Sequence, residues 1–328
     1  MIASTGITPR IDPKVETERL INELRTTVRQ RFSKRGAVVG ISGGIDSSTV
    51  AYLCQRAFGP ENVLGILMPE QNSSPDSARL AHSVADDLGI PTETVDLTPA
   101  LVGLGCYEKR DAAIKRVFPE YDPATYGAKI VLPPNRLNSD RLNFFSVTIV
   151  DKAGNEKRKR LPPDAYLQIV AASNMKQRLR MVTLYYHAER LDYAVVGTPN
   201  KDEDEQGFFV KWGDGGYDVA PLGRFFKTEV YQIAEHLGVV EEVRRRTPTT
   251  DTYSVEQTQE EFFFGLPFDL MDALWHAKER GLTTEQAAAE AGLEPVQVAR
   301  VWRDLDGKAR TTEYLRTPPL RLDPPVRG

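Results

Sequence analysis

Val38-Val39-Gly40-Ile41-Ser42-Gly43-Gly44-Ile45-Asp46-Ser47-Ser48-Thr49 is the stretch whose reading decides the fold. The apolar run from Ala37 to Ile41 has the composition of a fully buried strand, Ser42 to Asp46 that of a tight loop, and Ser47 onward that of a helix with an apolar face. Strand, glycine turn and helix start together make an anion site. The two glycines admit close backbone approach, the first amides of the helix lack partners, and Ser42, Ser47 and Ser48 offer hydroxyls. Asp46 would repel a phosphate unless a cation lay between them, so a metal-bound polyphosphate is the expected ligand. No Lys-Ser or Lys-Thr pair follows the last glycine, which excludes a Walker A loop, and the spacing is not a dinucleotide fingerprint. The plainer alternative is a turn that holds nothing; Ser-Gly-Gly-x-Asp-Ser directly behind a Val/Ile run weighs against it.

Outward from this stretch, strands and helices alternate. Residues 12 to 34 read as an amphipathic helix capped by Asp12 with Pro13 in its first turn, Val63 to Met68 as a second strand, Ser77 to Leu88 as a helix ended by Gly89, and Thr92 to Leu97 as a third strand. That rhythm implies a doubly wound parallel sheet with ligands at the carboxyl ends of its strands. From Tyr107 to about Tyr166 the rhythm stops, prolines recur, and one hairpin is visible: Asn143 to Val150, a turn at Asp151 to Asn155, and Glu156 to Leu161. An inserted lobe or lid is expected there, dividing the chain into a main domain of residues 1–106 and 167–328 and a lobe of residues 107–166.

A helix then follows at Asn174 to His187 and a strand at Tyr193 to Gly197. The acidic run Asp202-Glu203-Asp204-Glu205 comes directly after that strand, where it could hold a metal beside the first loop; alone it reads as a solvated turn. Lys227 precedes the helix Thr228 to Leu237. Residues 282 to 305 look like a helix-turn-helix, but the second helix offers few donors and carries Asp304 and Asp306, so a packing pair is expected.

Composition narrows the class. The chain has 328 residues, 41% hydrophobic and 27% charged, enough for a sizeable core. Its net charge of −4 gives no reason to expect nucleic acid, and the basic runs Lys157 to Arg160 and Arg244 to Arg246 read as solvated faces. Two cysteines make neither a disulfide framework nor a metal cluster, and no apolar run reaches membrane length. A cytoplasmic protein is expected.

SGGIDSS resembles the pyrophosphate loop of the ATP pyrophosphatases. The ordered set SGGIDSS, NMKQRLRM, GTPNKDEDEQGFFVKWGDGG, DVAPLGRFFKTEV and PTTD narrows the resemblance to the NAD synthetases, which amidate nicotinic acid adenine dinucleotide using ATP and ammonia. The resemblance implies the adenine nucleotide alpha hydrolase-like form of the α/β fold. It also implies roles: Gly40, Ser42, Gly43, Gly44 and Ser47 on the ATP phosphates; Asp46 and Glu203 on Mg2+; Thr198, Lys227 and Thr249 on ATP; Arg178, Lys211 and Asp218 on the dinucleotide. Asp46, Lys211 and Lys227 would carry catalysis. A homodimer is implied, as is free ammonia or a separate glutaminase as nitrogen source, because the nitrilase-like domain of glutamine-dependent members has no counterpart before Ala37.

Three departures stand out. The lobe is long, Tyr314-Leu315 replaces a His-Lys pair that usually closes over the substrate, and Leu67 stands where many members carry an arginine beside ATP, with Arg79 expected to reach the same region. A related enzyme amidating another carboxylate, or a nucleotide-binding module without turnover, are the alternatives; two metal carboxylates argue against the second. Asp46→Ala is expected to abolish turnover with little loss of fold.

Overall fold

The computed structural model describes residues 7–132, 137, 145–250, 253–255 and 257–322. Helix α1, Pro13–Arg25, starts where Asp12 accepts from the amides of Lys14 and Val15 at 3.0 and 3.1 Å. It continues as a π-helical turn, Thr26–Arg31, and so ends short of residue 34. Strand β1, Ala37–Gly40, leads through the glycine loop into α2, Ile45–Phe58, a helix with few exposed positions; β2, Val63–Leu67, and α3, Pro75–Leu88, follow. Strand β3 is only Thr92–Thr94, because the Asp96 side chain accepts from the Thr98 amide at 2.8 Å and turns the chain into α4, Thr98–Gly103.

The lobe is more regular than its sequence suggests. Helix α5, Cys106–Val117, precedes a three-stranded antiparallel sheet of β4, Tyr126–Val131, β5, Ser146–Asp151, and β6, Glu156–Arg160. The hairpin β5-β6 was expected and β4 was not; residues 143 and 144 of the expected first arm lie outside the described residues. All of β6 is exposed, so the basic run is a charged strand edge that resists further pairing. The other face of this sheet buries Ile130, Val147 and Ile149 against Phe118, Tyr121 and Ile169, with Tyr253 closing the cluster.

Ile169 belongs to α6, Pro163–Leu191, a helix of 29 residues that begins well before the expected Asn174. Pro163 sits at its first position, where a missing N–H costs nothing, so the Pro162-Pro163 pair starts a helix instead of prolonging a loop. Strand β7, Ala194–Val195, then joins the parallel sheet, whose order is β3-β2-β1-β7. Ala37 of β1 lies opposite Val63 on one side and Ala194 on the other. The chain therefore lays strands outward on one side of β1 and returns to its other side. The crevice at the carboxyl ends of β1 and β7 is thus the topological switch point, the place where open α/β sheets bind ligands.

After β7 come α7, Lys201–Gln206, α8, Lys227–Leu237, and α9, Glu241–Arg245. A π-helical turn, Glu260–Phe264, leads into α10, Phe268–Glu279, α11, Thr284–Ala291, α12, Pro295–Thr311, and the short α13, Glu313–Arg316. The packing pair expected at residues 282 to 305 is present: Ala287, Val298, Val301 and Leu305 are buried with Leu274 of α10 in one cluster.

Candidate active site

The glycine loop is shaped by sterics before any ligand arrives. Gly43 has φ +76°, and a Cβ there would lie 2.5 Å from the Ser77 carbonyl oxygen of α3, so no other residue fits without displacing that helix. The Ser42 amide donates to Ser47 Oγ at 3.2 Å, and the two hydroxyls are 3.0 Å apart, which locks the turn with both side chains at the crevice. Ser48 is different from the expectation: it is fully buried, and its hydroxyl donates back to the Gly44 carbonyl at 2.8 Å. Helix α2 opens at Gly44 with no side-chain cap, leaving its first-turn amides for an anion.

Asp46, on the first turn of α2, faces the start of α7. Its Oδ1 accepts from Asn200 Nδ2 at 3.1 Å, while Asn200 Oδ1 accepts from the Glu203 amide at 3.0 Å and Glu203 Oε2 accepts from the Asn200 amide at 3.3 Å. One asparagine thus caps α7 and fixes two carboxylates next to each other. Glu203, enclosed by protein and open only toward the cavity, has its pKa pushed up to about 8, first by burial and then by the negative charge of Asp46. Its Oε1 accepts from Gln259 Nε2 at 3.3 Å.

Lys227 completes the cluster. Its ammonium group, wholly buried, is ion-paired with Asp46 Oδ2. Burial alone would lower the pKa of this amine; Asp46 and Glu203 outweigh it and raise the pKa, keeping the group charged. The backbone is fixed too. Asp202 Oδ2 accepts from the Lys227 amide at 2.8 Å, and Asp272 Oδ2 accepts from the Thr228 amide at 2.9 Å, so two buried carboxyl groups cap α8. Burial raises the pKa of both, and the negative charge of Asp272 adds to the rise at Asp202. The acidic run has therefore divided its labour: Asp202 supports Lys227, Glu203 faces the cavity, and Glu205 lies 3.9 Å from the exposed Arg224.

A cavity of about 760 Å³ opens above this cluster. Its wall carries Gly40, Ser42, Gly44, Asp46, Ser47, Thr198, Glu203, Lys227 and Thr249 around the loop, with Arg178 and Lys211 farther along. Gly43 shapes the loop from behind the wall. Asp218 is not on the wall: it accepts from Tyr185 Oη at 3.0 Å and from the Val195 amide at 2.8 Å, tying α6 to β7. Lys211 is held by the carbonyls of Tyr314 and Thr317 at 2.8 and 2.7 Å and stands 4.1 Å from the Tyr314 ring centre, so the C-terminal segment carrying Tyr314-Leu315 closes one side of the cavity. Arg79 does not reach it. Its guanidinium is paired with Glu242, and the arginine on the wall nearby is Arg246. The lobe contributes Phe145, stacked on Tyr166 at 4.4 Å, and both line the far end.

Beside them lies a buried pair, Lys176 and Glu70, 2.8 Å apart; Glu70 also accepts from Tyr107 Oη at 2.7 Å, linking α5, α6 and the segment after β2. Asn200, Gln259 and Asp272 were not singled out from the sequence, and Arg246, expected on a solvated face, instead lies on the cavity wall. The Asn-x-x-Glu spacing at 200–203 is a capping signature that pointed to the first of them; nothing local pointed to the others.

The sequence model of NAD synthase matches residues 16–113 and 142–319, leaving out 114–141. An NH(3)-dependent NAD(+) synthetase of Mesorhizobium japonicum is 50% identical over 310 residues, 94% of this chain and 97% of its own. One of Rhizobium meliloti is 47% identical, covering 97% of this chain and 94% of its own. Among solved structures, an NH3-dependent NAD synthetase from Campylobacter jejuni aligns over 95% of this chain and all of its own, with a TM-score of 0.61 at 22% identity, a likeness of fold. With its family match covering most of the sequence and relatives at half identity along nearly its whole length, the chain belongs to the NAD synthase family.

Proposed function

We propose that this chain is an ammonia-dependent NAD synthetase that amidates nicotinic acid adenine dinucleotide through an acyl adenylate. The carboxylate attacks the α-phosphate of ATP and releases pyrophosphate; ammonia then attacks the acyl carbon, expels AMP and leaves the amide. The observation that carries this reading is the convergence of Asp46, Glu203 and Lys227 on the floor of a phosphate-type loop.

The donor set fits Mg2+. Two carboxylates side by side, one with its proton affinity raised by burial and then by the other's charge, call for a cation, and hard oxygen donors beside a phosphate site would suit magnesium, which takes its remaining ligands from phosphate and water. Asp46 and Glu203 would hold it, and the ion would offset charge between the anionic acid and the triphosphate. Among this chain's own groups, the loop amides with Ser42 and Ser47 bind phosphate oxygens. Lys227, rigidly mounted on α8, faces the charge that grows as the phosphate bond breaks. Thr198 and Thr249 border the same phosphates; Arg178 and Lys211 border the acceptor. Asp218 positions β7 and α6. We place the enzyme in the cytoplasm as a homodimer, with Val182 and Tyr186 of α6, both more than half exposed, as part of the subunit contact. Free ammonia, or a separate glutaminase, supplies the nitrogen.

A second reading, amidation of a different acid, is favoured by Tyr314-Leu315 at the cavity edge and by the Phe145-Tyr166 wall of the lobe. Incubation with ATP, Mg2+, ammonia and nicotinic acid adenine dinucleotide decides between them. Equal yields of NAD, AMP and pyrophosphate support the first reading. Pyrophosphate release that needs some other carboxylate supports the second.

A further inference from the structure

Four arginines crowd the corner where α3 meets α9, and three are committed to other partners. Arg79 is paired with Glu242, Arg245 with Glu241, and Arg244 donates to the Val239 carbonyl at 2.8 Å. Arg246 is the exception. It lies on the cavity wall, and its Nη2 donates to Ser77 Oγ at 3.0 Å; among the described residues no carboxylate stands within ion-pair distance of it. A guanidinium paired only with a neutral hydroxyl retains most of its five donors for an incoming anion.

Its position says which anion. Ser77 is the residue whose carbonyl lies against Gly43, so the Arg246 guanidinium is one residue removed from the glycine loop. Thr249, three residues farther on, is on the same wall. Of the lysines there, Lys227 is engaged with Asp46, Lys176 with Glu70 and Lys211 with two carbonyls, while Arg178 and Arg180 on the same wall belong to α6. A triphosphate entering the loop brings more negative charge than these groups offset, and its outer end gains further charge when the α–β bond breaks. We propose that Arg246 binds the β- and γ-phosphates of ATP and stabilises pyrophosphate as the leaving group. This assignment rests on the adenylating reading above.

The test separates the two. In the NAD-forming assay, Arg246→Ala should lower kcat/KM for ATP about 100-fold, the scale of losing one donor to developing charge, and raise the inhibition constant of pyrophosphate at least about tenfold. Arg246→Lys should recover part of both, and Arg79→Ala should change neither. Calorimetric titration with magnesium pyrophosphate, which needs no acceptor acid, gives the independent readout: wild type binds, and Arg246→Ala, with an unchanged melting temperature, binds at least about tenfold more weakly. Equal binding by the two proteins, or no binding by either, overturns the role of Arg246. Wild type that binds pyrophosphate through Arg246 yet makes no NAD leaves this role standing and removes the chosen acceptor.

Discussion

At the level of single residues, the Asp46–Lys227 pair revises what a substitution should do. From sequence, Asp46→Ala is expected to spare the fold; the structure buries Lys227 completely and sets Asp46 against it. Removing the carboxylate leaves a buried ammonium without its nearest counter-charge, a change that costs about 3 kcal/mol. Asp46→Ala should therefore both lose turnover and melt at lower temperature in a thermal scan, and a melting temperature equal to wild type would contradict the pairing. Glu203 gives a pH dependence with the opposite sign from an ordinary paired acid. Its pKa is raised to about 8 in the fold against 4.5 unfolded, so between those values the folded state holds more protons. Stability from this group is present at low pH and is lost as pH rises toward about 8. Glu203→Gln should flatten that decline in the metal-free protein while removing activity, and differential scanning fluorimetry from pH 5 to pH 8.5 shows it; a slope unchanged by the substitution would place the titration elsewhere.

The elements show why parts of the sequence were readable. Strand β1, the loop and α2 could be read because a buried parallel strand is continuously apolar and its exit needs glycines and hydroxyls at fixed steps. Strand β4 could not: Gly127 and Lys129 break the apolar pattern, and its open edge is met by Ser254, whose hydroxyl accepts from the Ala128 amide at 2.9 Å across 126 residues. The start of α6 was hidden because two prolines read as loop until tertiary contacts fix one of them at the first helical position. Lys227 and Asp46, far apart in sequence, each stood out locally, whereas the Asn200 that touches Asp46 across 154 residues carries only a helix-cap spacing and did not. The lobe belongs to this scale as well. Its aromatic pair reaches the far end of the cavity, so Tyr166→Ala should raise KM for the acceptor acid about tenfold and leave KM for ATP alone. Steady-state kinetics with each substrate varied would expose equal effects on both, or none, and either would remove the lobe from acceptor binding.

At the scale of the whole molecule, the switch point between β1 and β7 explains how two acidic residues distant in sequence, Asp46 and Glu203, come to face one cavity. The proposed dimer would use the exposed apolar residues Val182 and Tyr186 of α6. Val182→Asp should shift the sedimentation coefficient from that of a dimer toward that of a monomer; an unchanged value would move the contact elsewhere. The central claim is that this site activates an acid by joining it to AMP, and oxygen transfer tests it most directly. With nicotinic acid adenine dinucleotide labelled with oxygen-18 in its carboxylate, a single turnover in ATP, Mg2+ and ammonia should deliver one labelled oxygen to the phosphate of AMP. Label recovered in inorganic phosphate, or AMP that stays unlabelled while NAD is formed, would contradict the acyl adenylate and with it the roles assigned to Asp46, Glu203 and Lys227.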